Sequence, residues 1–504
     1  MMKLLQKNMS FILLLVGLGL VLLASRLILL NQLPIFTDEA IYLRWAQIAL
    51  HDSNWRFISL TDGKQPLFIW LMILAMKVIH DPLVAGRTVS VIAGLLTATG
   101  LFFLGLETFK NKWIGFVSAL LYVIFPYALV YDRMAIYDSL VGTFTVWGLF
   151  FTILLARRLR LDIAFMMAFV SGAAVLNKTN GFFTIYLLPF SLVLFDFKQK
   201  KWKERVIRYI GLGAVVVILT YLIYSILRLS PFFYIINQKN TLFFYPLQEW
   251  LKHPLTYFLS NLSAFNDWYL HYVGLPLTIA VIASLVIDKK YTREKLLFFI
   301  WFIVPYMGFA LDGKTIYPRY IFPMTLSLLP LVAYTICTLR DRLSRNMWLI
   351  VTFLILVYSI FADVSIMKNF ATSVVPHSDK AQYLTDWPAG NGVKESTAFF
   401  DKEAAKGPIY LATQGTFGLM PYSYELAFSN NPKVTVKGYW PIDPKIPTEI
   451  ANAAKKMPTY VVFYEPCPAC TYTNQPPATW PVDKVREYAR PDGSIGLTVY
   501  KVRP

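Results

Sequence analysis

The stretch "LPIFTDEAIYLRWAQIAL", residues 33–50, follows an apolar run at residues 10–30 almost without interval. Two adjacent acids, Asp38 and Glu39, therefore stand where the chain has just left a hydrophobic segment. Thr37 has the chemistry of a helix N-cap, and acids in a first turn are favoured by the helix dipole, so the stretch predicts a helix from about residue 38. The same pair is also a candidate reactive site. Which reading holds depends on what else the chain brings to that depth.

Of the 504 residues, 56% are hydrophobic, 16% are aromatic and only 15% are charged. The mean hydropathy is +0.49. A soluble domain carries about 25% charged residues, so this composition places the chain among polytopic membrane proteins. The formal charge of +18 is carried in short basic runs between apolar segments. That pattern suits anionic headgroups at a cytoplasmic surface, and no nucleic-acid-binding motif accompanies it. The N-terminal apolar run is longer than a signal-peptide core of roughly 7–15 residues and no small-x-small cleavage site follows, so it reads as a retained span.

Apolar runs of about 17–24 residues can cross a bilayer core. They occur near 10–30, 83–107, 113–131, 139–156, 161–177, 181–197, 209–228, 273–287, 296–311, 320–338 and 347–364, which predicts about eleven spans. The segment 66–79 is short and followed by "HDP", and is expected to form an interfacial helix. The runs "KNK" (110–112), "RRLR" (157–160), "KQKKWKER" (198–205), "DKKYTREK" (288–295) and "RDRLSR" (340–345) fall in every second loop. By the positive-inside rule the N-terminus is expected to be cytoplasmic, and residues 31–82, 132–138, 178–180, 229–272, 312–319 and everything after 365 are expected outside. The expected organisation is a transmembrane domain over 1–365, with interfacial helices at 31–82 and an aromatic outer loop at 229–272, followed by an extracytoplasmic domain over 366–504.

That tail holds 16 of the 29 prolines and no run able to span a membrane. The β-rich runs "GPIYLAT", "PKVTVKGYW", "PTYVVFYE" and "GLTVYKV" alternate with helical patterns such as "IPTEIANAAKKM", which predicts a small α/β domain. Outside the cell, Cys467 and Cys470 of "CPAC" suit a small disulfide better than zinc, because no second Cys or His pair accompanies them. Cys337 lies in an apolar segment.

Charged residues collect at one depth. The outer loops and span ends carry Arg26, Asp38, Glu39, Arg44, Asp62, Lys64, Arg87, Asp132, Arg133, Asp138, Lys178, Arg228 and Arg319, and none falls at the middle of a predicted span. Cations there can hold a lipid phosphate, and a carboxylate beside them can accept a proton. The simpler account of each cation is snorkelling from a helix end. An ion-coupled transporter would place ionisable groups near the midplane. The aromatics of 229–272, among them Phe243, Phe244, Tyr245, Trp268 and Tyr272, form either an interfacial belt or a wall against a sugar or lipid.

The ordered set "DEAIY" (38–42), "DGKQPLFIW" (62–70), "AGRTVSVIAGLL" (85–96), "YDRMAIYDSL" (131–140), "LNKTNG" (176–181) and "YPRYIFPMTLSLLPLVA" (317–333) resembles the GT-C glycosyltransferase superfamily. The resemblance is to the branch of protein O-mannosyltransferases and aminoarabinose transferases of lipid A (the ArnT-like form). It implies the GT-C fold and a polyprenyl-phosphate-linked sugar donor. It also implies inverting transfer, on the outer face, to a hydroxyl of a protein, lipid or glycan. The family's essential carboxylate falls on Asp38 as base, with Glu39 beside it, and its second-loop acid falls on Asp138. The family's donor-phosphate cations fall on Lys64, Arg133, Lys178 and Arg319, with Tyr320 after the last and Arg87 as a further candidate. The chain departs from the aminoarabinose form at Ile41, where that form has arginine, and at Gly63 and Gln65 around Lys64. The family's metal-holding glutamate is thereby missing. Asp62 and His271 are the residues left for a divalent metal, and no cofactor is required. The competing readings are a lipid-linked-sugar flippase and a non-catalytic membrane scaffold.

Overall fold

The computed structural model describes residues 2–464 and 475–504, with side chains from residue 9 onward. The "CPAC" cysteines lie outside the described residues. The chain divides into two compact units. One comprises Met1–Leu29, Asn54–Leu71 and Arg87–Pro376; the other comprises Leu30–Ser53, Met72–Gly86 and His377–Pro504.

The first unit is a multi-pass helical assembly. Among the described residues, seven helices are long and apolar enough to cross a membrane: Met9–Leu27, Pro82–Phe109, Asp138–Arg158, Trp202–Leu229, Thr292–Asp312, Phe322–Arg340 and Arg345–Lys368. The pair Phe258–Tyr272 and Gly274–Val286, bent by 98° at its break, makes an eighth if read as one span. This differs from the eleven expected. The runs near 113–131, 161–177 and 181–197 form shorter apolar helices instead, at Lys112–Val123, Leu161–Asn177 and Thr179–Leu194. The reason is local. Lys112–Val123 stops short of Pro126, which opens a separate short helix. Residues 179–194 break into 3-10 and α turns around Gly181 and Pro189. The apolar segment at 66–79 is a ten-residue helix, Leu67–Met76.

The second unit is a five-stranded sheet of order β2-β1-β3-β5-β4 with helices on both faces. The strands are β1 (Ile409–Gln414), β2 (Val434–Tyr439), β3 (Thr459–Tyr464), β4 (Val482–Ala489) and β5 (Ile495–Val502). β1 pairs parallel with β2 and β3, whereas β5 runs antiparallel to β3 and β4. Side chains alternate between two cores, as the two-residue period of a strand requires. Leu411, Val462 and Val499 pack with Phe400 and Tyr424 on one face, and Ala412, Val461 and Tyr500 pack with Ile450 and Trp480 on the other. The four β-rich runs are all strands; β4 was not foreseen. "VDKVREYA" has no apolar alternation because it is an exposed edge, and charges on an edge strand oppose pairing with another chain.

The boundary at 365 does not describe this unit fully. Residues 30–53 belong to it because Ala40 is part of the core formed by Phe400, Leu419, Met420 and Tyr424. The helix announced by "TDEAIY" runs from Thr37 to His51, and ten of its fifteen residues are buried.

Candidate functional site

In the membrane unit, three of the quoted motifs meet. Asp138 opens the helix Asp138–Arg158, where the dipole favours an acid. Lys178 follows the last residue of Leu161–Asn177 in extended conformation, so its side chain leaves the helix end. Its Nζ lies 2.7 Å from Asp138 Oδ1. The same ammonium lies 5.0 Å from the centre of the Tyr320 ring, a cation–π distance. Arg319, itself buried, stacks 4.8 Å over Tyr317. The "DGKQ" loop is stitched to this cluster: Gln65 Nε2 donates to Thr179 Oγ1 at 2.8 Å, and Tyr137 Oη donates to the Gln65 carbonyl at 3.0 Å. Asn177 Nδ2 donates to the Tyr137 carbonyl at 3.2 Å. Asp138, Lys178 and Tyr320 are thus in direct contact, and the loop bearing Lys64 is hydrogen-bonded to the turn bearing Lys178.

Lys64 lies 5.1 Å from the Phe243 ring centre. Its neighbour Asp62 accepts from Lys239 Nζ at 2.5 Å. Lys239 was missed by motif reasoning, because it sits in an unremarkable stretch, "NQKN". Gly63 explains the close approach of the two segments. Its φ of +68° favours glycine, and a Cβ there would stand 2.6 Å from Lys239 Cβ. His271 bonds to its own helix: Nδ1 lies 2.8 Å from the Asp267 carbonyl and 3.2 Å from Asp267 Oδ1. Among the described residues, no three His, Cys, Asp or Glu side chains gather as a metal site.

The remaining cations do different work. Arg26 is completely buried and does not snorkel. It donates to the carbonyls of Val123 at 2.7 Å and Tyr122 at 3.1 Å, and its Nε lies 3.5 Å from Asp132 Oδ2. Asp132 also accepts from Tyr122 Oη at 3.0 Å. Burial pushes the Asp132 carboxyl up to about 6, with Arg26 opposing that shift. Arg133 donates to the Ile28 and Leu29 carbonyls and to the Met367 sulfur, so its guanidinium closes the C-terminal end of the first helix. Burial lowers it to about 10, and Arg26 and Arg87 contribute to the shift. Arg87 is also completely buried. Asp363, which motif reading did not single out, is a further acid on the helix Arg345–Lys368. Arg228 is exposed and lies 5.4 Å from the Phe233 ring centre. The aromatic loop splits: Tyr272 stacks on Tyr127 at 3.9 Å in the core, whereas Phe243 and Tyr245 meet the cations Lys64 and Lys314.

In the second unit, the helix Thr37–His51 is not capped by Thr37. The N-cap position is Phe36, whose N–H donates to Glu39 Oε2 at 2.9 Å. Thr37 instead donates its hydroxyl to the Pro388 carbonyl at 2.8 Å, because residues 36 and 389 form an antiparallel bridge. Glu39 is fully buried, so its visible role is to satisfy the helix entrance. Asp38, one position earlier, is only partly buried.

Residues 63–224 match the family described as dolichyl-phosphate-mannose-protein mannosyltransferase. Over 339 residues the chain is 25% identical to the undecaprenyl phosphate-alpha-4-amino-4-deoxy-L-arabinose arabinosyl transferase of Pectobacterium carotovorum subsp. carotovorum (strain PC1). That match covers 63% of this chain and 58% of the relative, less than two thirds of its length. The structure of ArnT from Cupriavidus metallidurans bound to undecaprenyl phosphate superposes with a TM-score of 0.58 over 98% of both chains, at 16% identity. The archaeal oligosaccharyltransferase AglB of Archaeoglobus fulgidus, in complex with an inhibitory peptide and a dolichol-phosphate, gives a TM-score of 0.55 at 13% identity. That superposition covers 97% of this chain and 74% of AglB.

Proposed function

We infer that this chain, which has the GT-C fold in its ArnT-like form, is a membrane glycosyltransferase that takes its sugar from a polyprenyl-phosphate-linked donor. The observation that carries this reading is the contact of Lys178 with both Asp138 and Tyr320, hydrogen-bonded through Gln65 to the loop of Lys64. A partly exposed ammonium held between a carboxylate and an aromatic face is a preformed seat for a phosphate. Lys64, Lys178 and Arg319 neutralise the donor phosphate as the anomeric C–O bond breaks. Asp138 and Tyr320 orient Lys178. Arg133 holds the carbonyl end of the first helix, and Arg87 is fully buried; both remain further candidates for the donor phosphate.

Asp38 takes the proton of the acceptor hydroxyl while the acceptor oxygen forms its bond to the anomeric carbon from the opposite face, inverting the centre. The departing electron pair stays on the polyprenyl phosphate, which is stable as an anion, so no general acid is needed. This assignment rests on the place of "DEAIY" after the first span and on the first-turn position of Asp38. We assign no step to a metal, since Asp62 is held by Lys239 and His271 by Asp267. The tail domain and the acceptor, whether protein, lipid or glycan, lie on the extracytoplasmic side, and the N-terminus is cytoplasmic.

The test is full-length protein in liposomes supplied with labelled polyprenyl-phosphate mannose and polyprenyl-phosphate 4-amino-4-deoxy-arabinose, wild type against Asp38→Asn. The expected result is sugar transfer with release of polyprenyl phosphate by wild type and loss in the variant. Full transfer by Asp38→Asn would sink the base assignment. Label that crosses the bilayer without transfer would point to a flippase.

A further inference from the structure

We propose that the tail domain is a positioning element of the reaction: Glu425 and Ser429 grip the helix Thr37–His51 and so set the direction of Asp38. The proposal builds on the reading of Asp38 as base. Within the second unit the helix is held at two places. At its entrance, the Thr37 N–H and hydroxyl both donate to the Pro388 carbonyl, and the Gly390 N–H donates to the Ile35 carbonyl at 2.8 Å. Six residues beyond Asp38, Arg44 Nε lies 2.7 Å from Glu425 Oε2. Arg44 Nη1 also donates to Gln47 Oε1 at 2.6 Å, and Gln47 Nε2 donates to Ser429 Oγ at 2.8 Å. Glu425, Arg44, Gln47 and Ser429 therefore form one relay between two helices.

The geometry gives that relay leverage. At about 100° per residue, Arg44 and Gln47 project from the helix about 120° and 180° away from Asp38. The relay thus holds the reverse of the helix, while the face that Asp38 shares with Tyr42 and Trp45 is itself buried, Trp45 lying 6.2 Å from the Phe417 ring. A carboxylate about 6 Å from the helix axis moves by about 1 Å when the helix turns by about 10°. A displacement of that size costs up to about 100-fold in rate. A domain that merely captured acceptor would act on KM; one that aims the base acts on kcat.

The experiment uses the full-length protein in the liposome assay above, with whichever of the two labelled donors wild type consumes. Glu425→Gln is expected to lower kcat by about 10- to 100-fold with donor and acceptor KM unchanged. Amide exchange in peptides from 37–51 should rise, while β1 and β3 stay protected. The swapped pair Arg44→Glu with Glu425→Arg should recover kcat, and Ser429→Ala should show a milder form of the same kcat effect. Wild-type kcat and exchange in Glu425→Gln would overturn the proposal, as would a change confined to KM. A rise in exchange throughout the sheet would assign the loss to unfolding and also overturn it. If Asp38→Asn is inactive while Glu425→Gln behaves as wild type, the positioning role fails and the base assignment stands. If Asp38→Asn is fully active, the base assignment fails and the positioning proposal falls with it.

Discussion

Replacing Lys178 by Met separates what its ion pair does for the fold from what it does for the reaction. Asp138 is buried, with 4% of its side chain accessible, whereas Lys178 keeps 22%. At 2.7 Å and an effective dielectric constant of about 20, the pair attracts by about 6 kcal/mol before desolvation is subtracted. Removing only the lysine leaves a buried carboxylate without its counter-charge, which costs about 3 kcal/mol once the partial exposure of the pair is allowed for. For a chain this large, that corresponds to a fall of about 3–6 °C in unfolding temperature. Asp138→Asn should cost less, about 1 kcal/mol, because the ammonium it abandons can still reach water. The double variant Asp138→Asn/Lys178→Met removes both charges and should recover most of the stability. It should not recover donor use, because the phosphate cation is gone. The assay is thermal unfolding in detergent beside release of polyprenyl phosphate in liposomes. A double variant that regains wild-type turnover would refute the seat assigned to Lys178, and a single Lys178→Met variant as stable as wild type would refute the energetics.

Two further outcomes follow from the buried group around Arg26. Gly94 faces the Asp132 carboxylate so closely that an added Cβ would overlap it; Gly94→Ala should therefore cost about 1–3 kcal/mol, read as a lowered unfolding temperature, and an unchanged value would mean the two helices separate freely. Asp132, outside the spans, has a carboxyl raised from 3.8 to about 6, so the folded chain holds this proton more tightly than the unfolded chain. Its contribution to stability is fully present below about pH 3.8 and is lost as the pH rises through about 6. Infrared difference spectra should show a protonated carboxyl that disappears near pH 6 in wild type and is missing in Asp132→Asn; a titration near 4 would refute burial as the cause.

What could be read from the residues was whatever depends on local chemistry. The alternation of "PKVTVKGYW" marks β2 because one side of it faces a core, and the same reasoning fails at β4, where an edge strand has no buried face to pattern. Apolar runs gave the places of the helices but not their continuity, as in 181–197, whose turns break around Gly181 and Pro189. Lys178 and Asp138 were both legible as interfacial charges, yet their contact across 40 residues was not, since nothing in either motif encodes a partner. Arg133 and Arg26 looked like Lys178 in sequence. Only the carbonyls at the end of the first helix distinguish a guanidinium that caps a backbone from an ammonium paired with a carboxylate. Lys239 had no motif to announce it, and became visible through the glycine that lets it approach.

The seating of the helix Thr37–His51 against Pro388 and Glu425 sets a timetable for biosynthesis. Thr37 and Pro388 are separated by 351 positions. At about 5–20 residues per second, the ribosome delivers the partner about 18–70 s after the helix itself. Until then, Ala40 has no Phe400 or Tyr424 to cover it, and the entrance of the helix has no Pro388 carbonyl to receive Thr37. The nascent chain must keep this segment from aggregating or pairing wrongly while the spans between them are inserted. Slowed or interrupted translation beyond the last span should therefore be more harmful to this protein than the modest size of its tail would suggest.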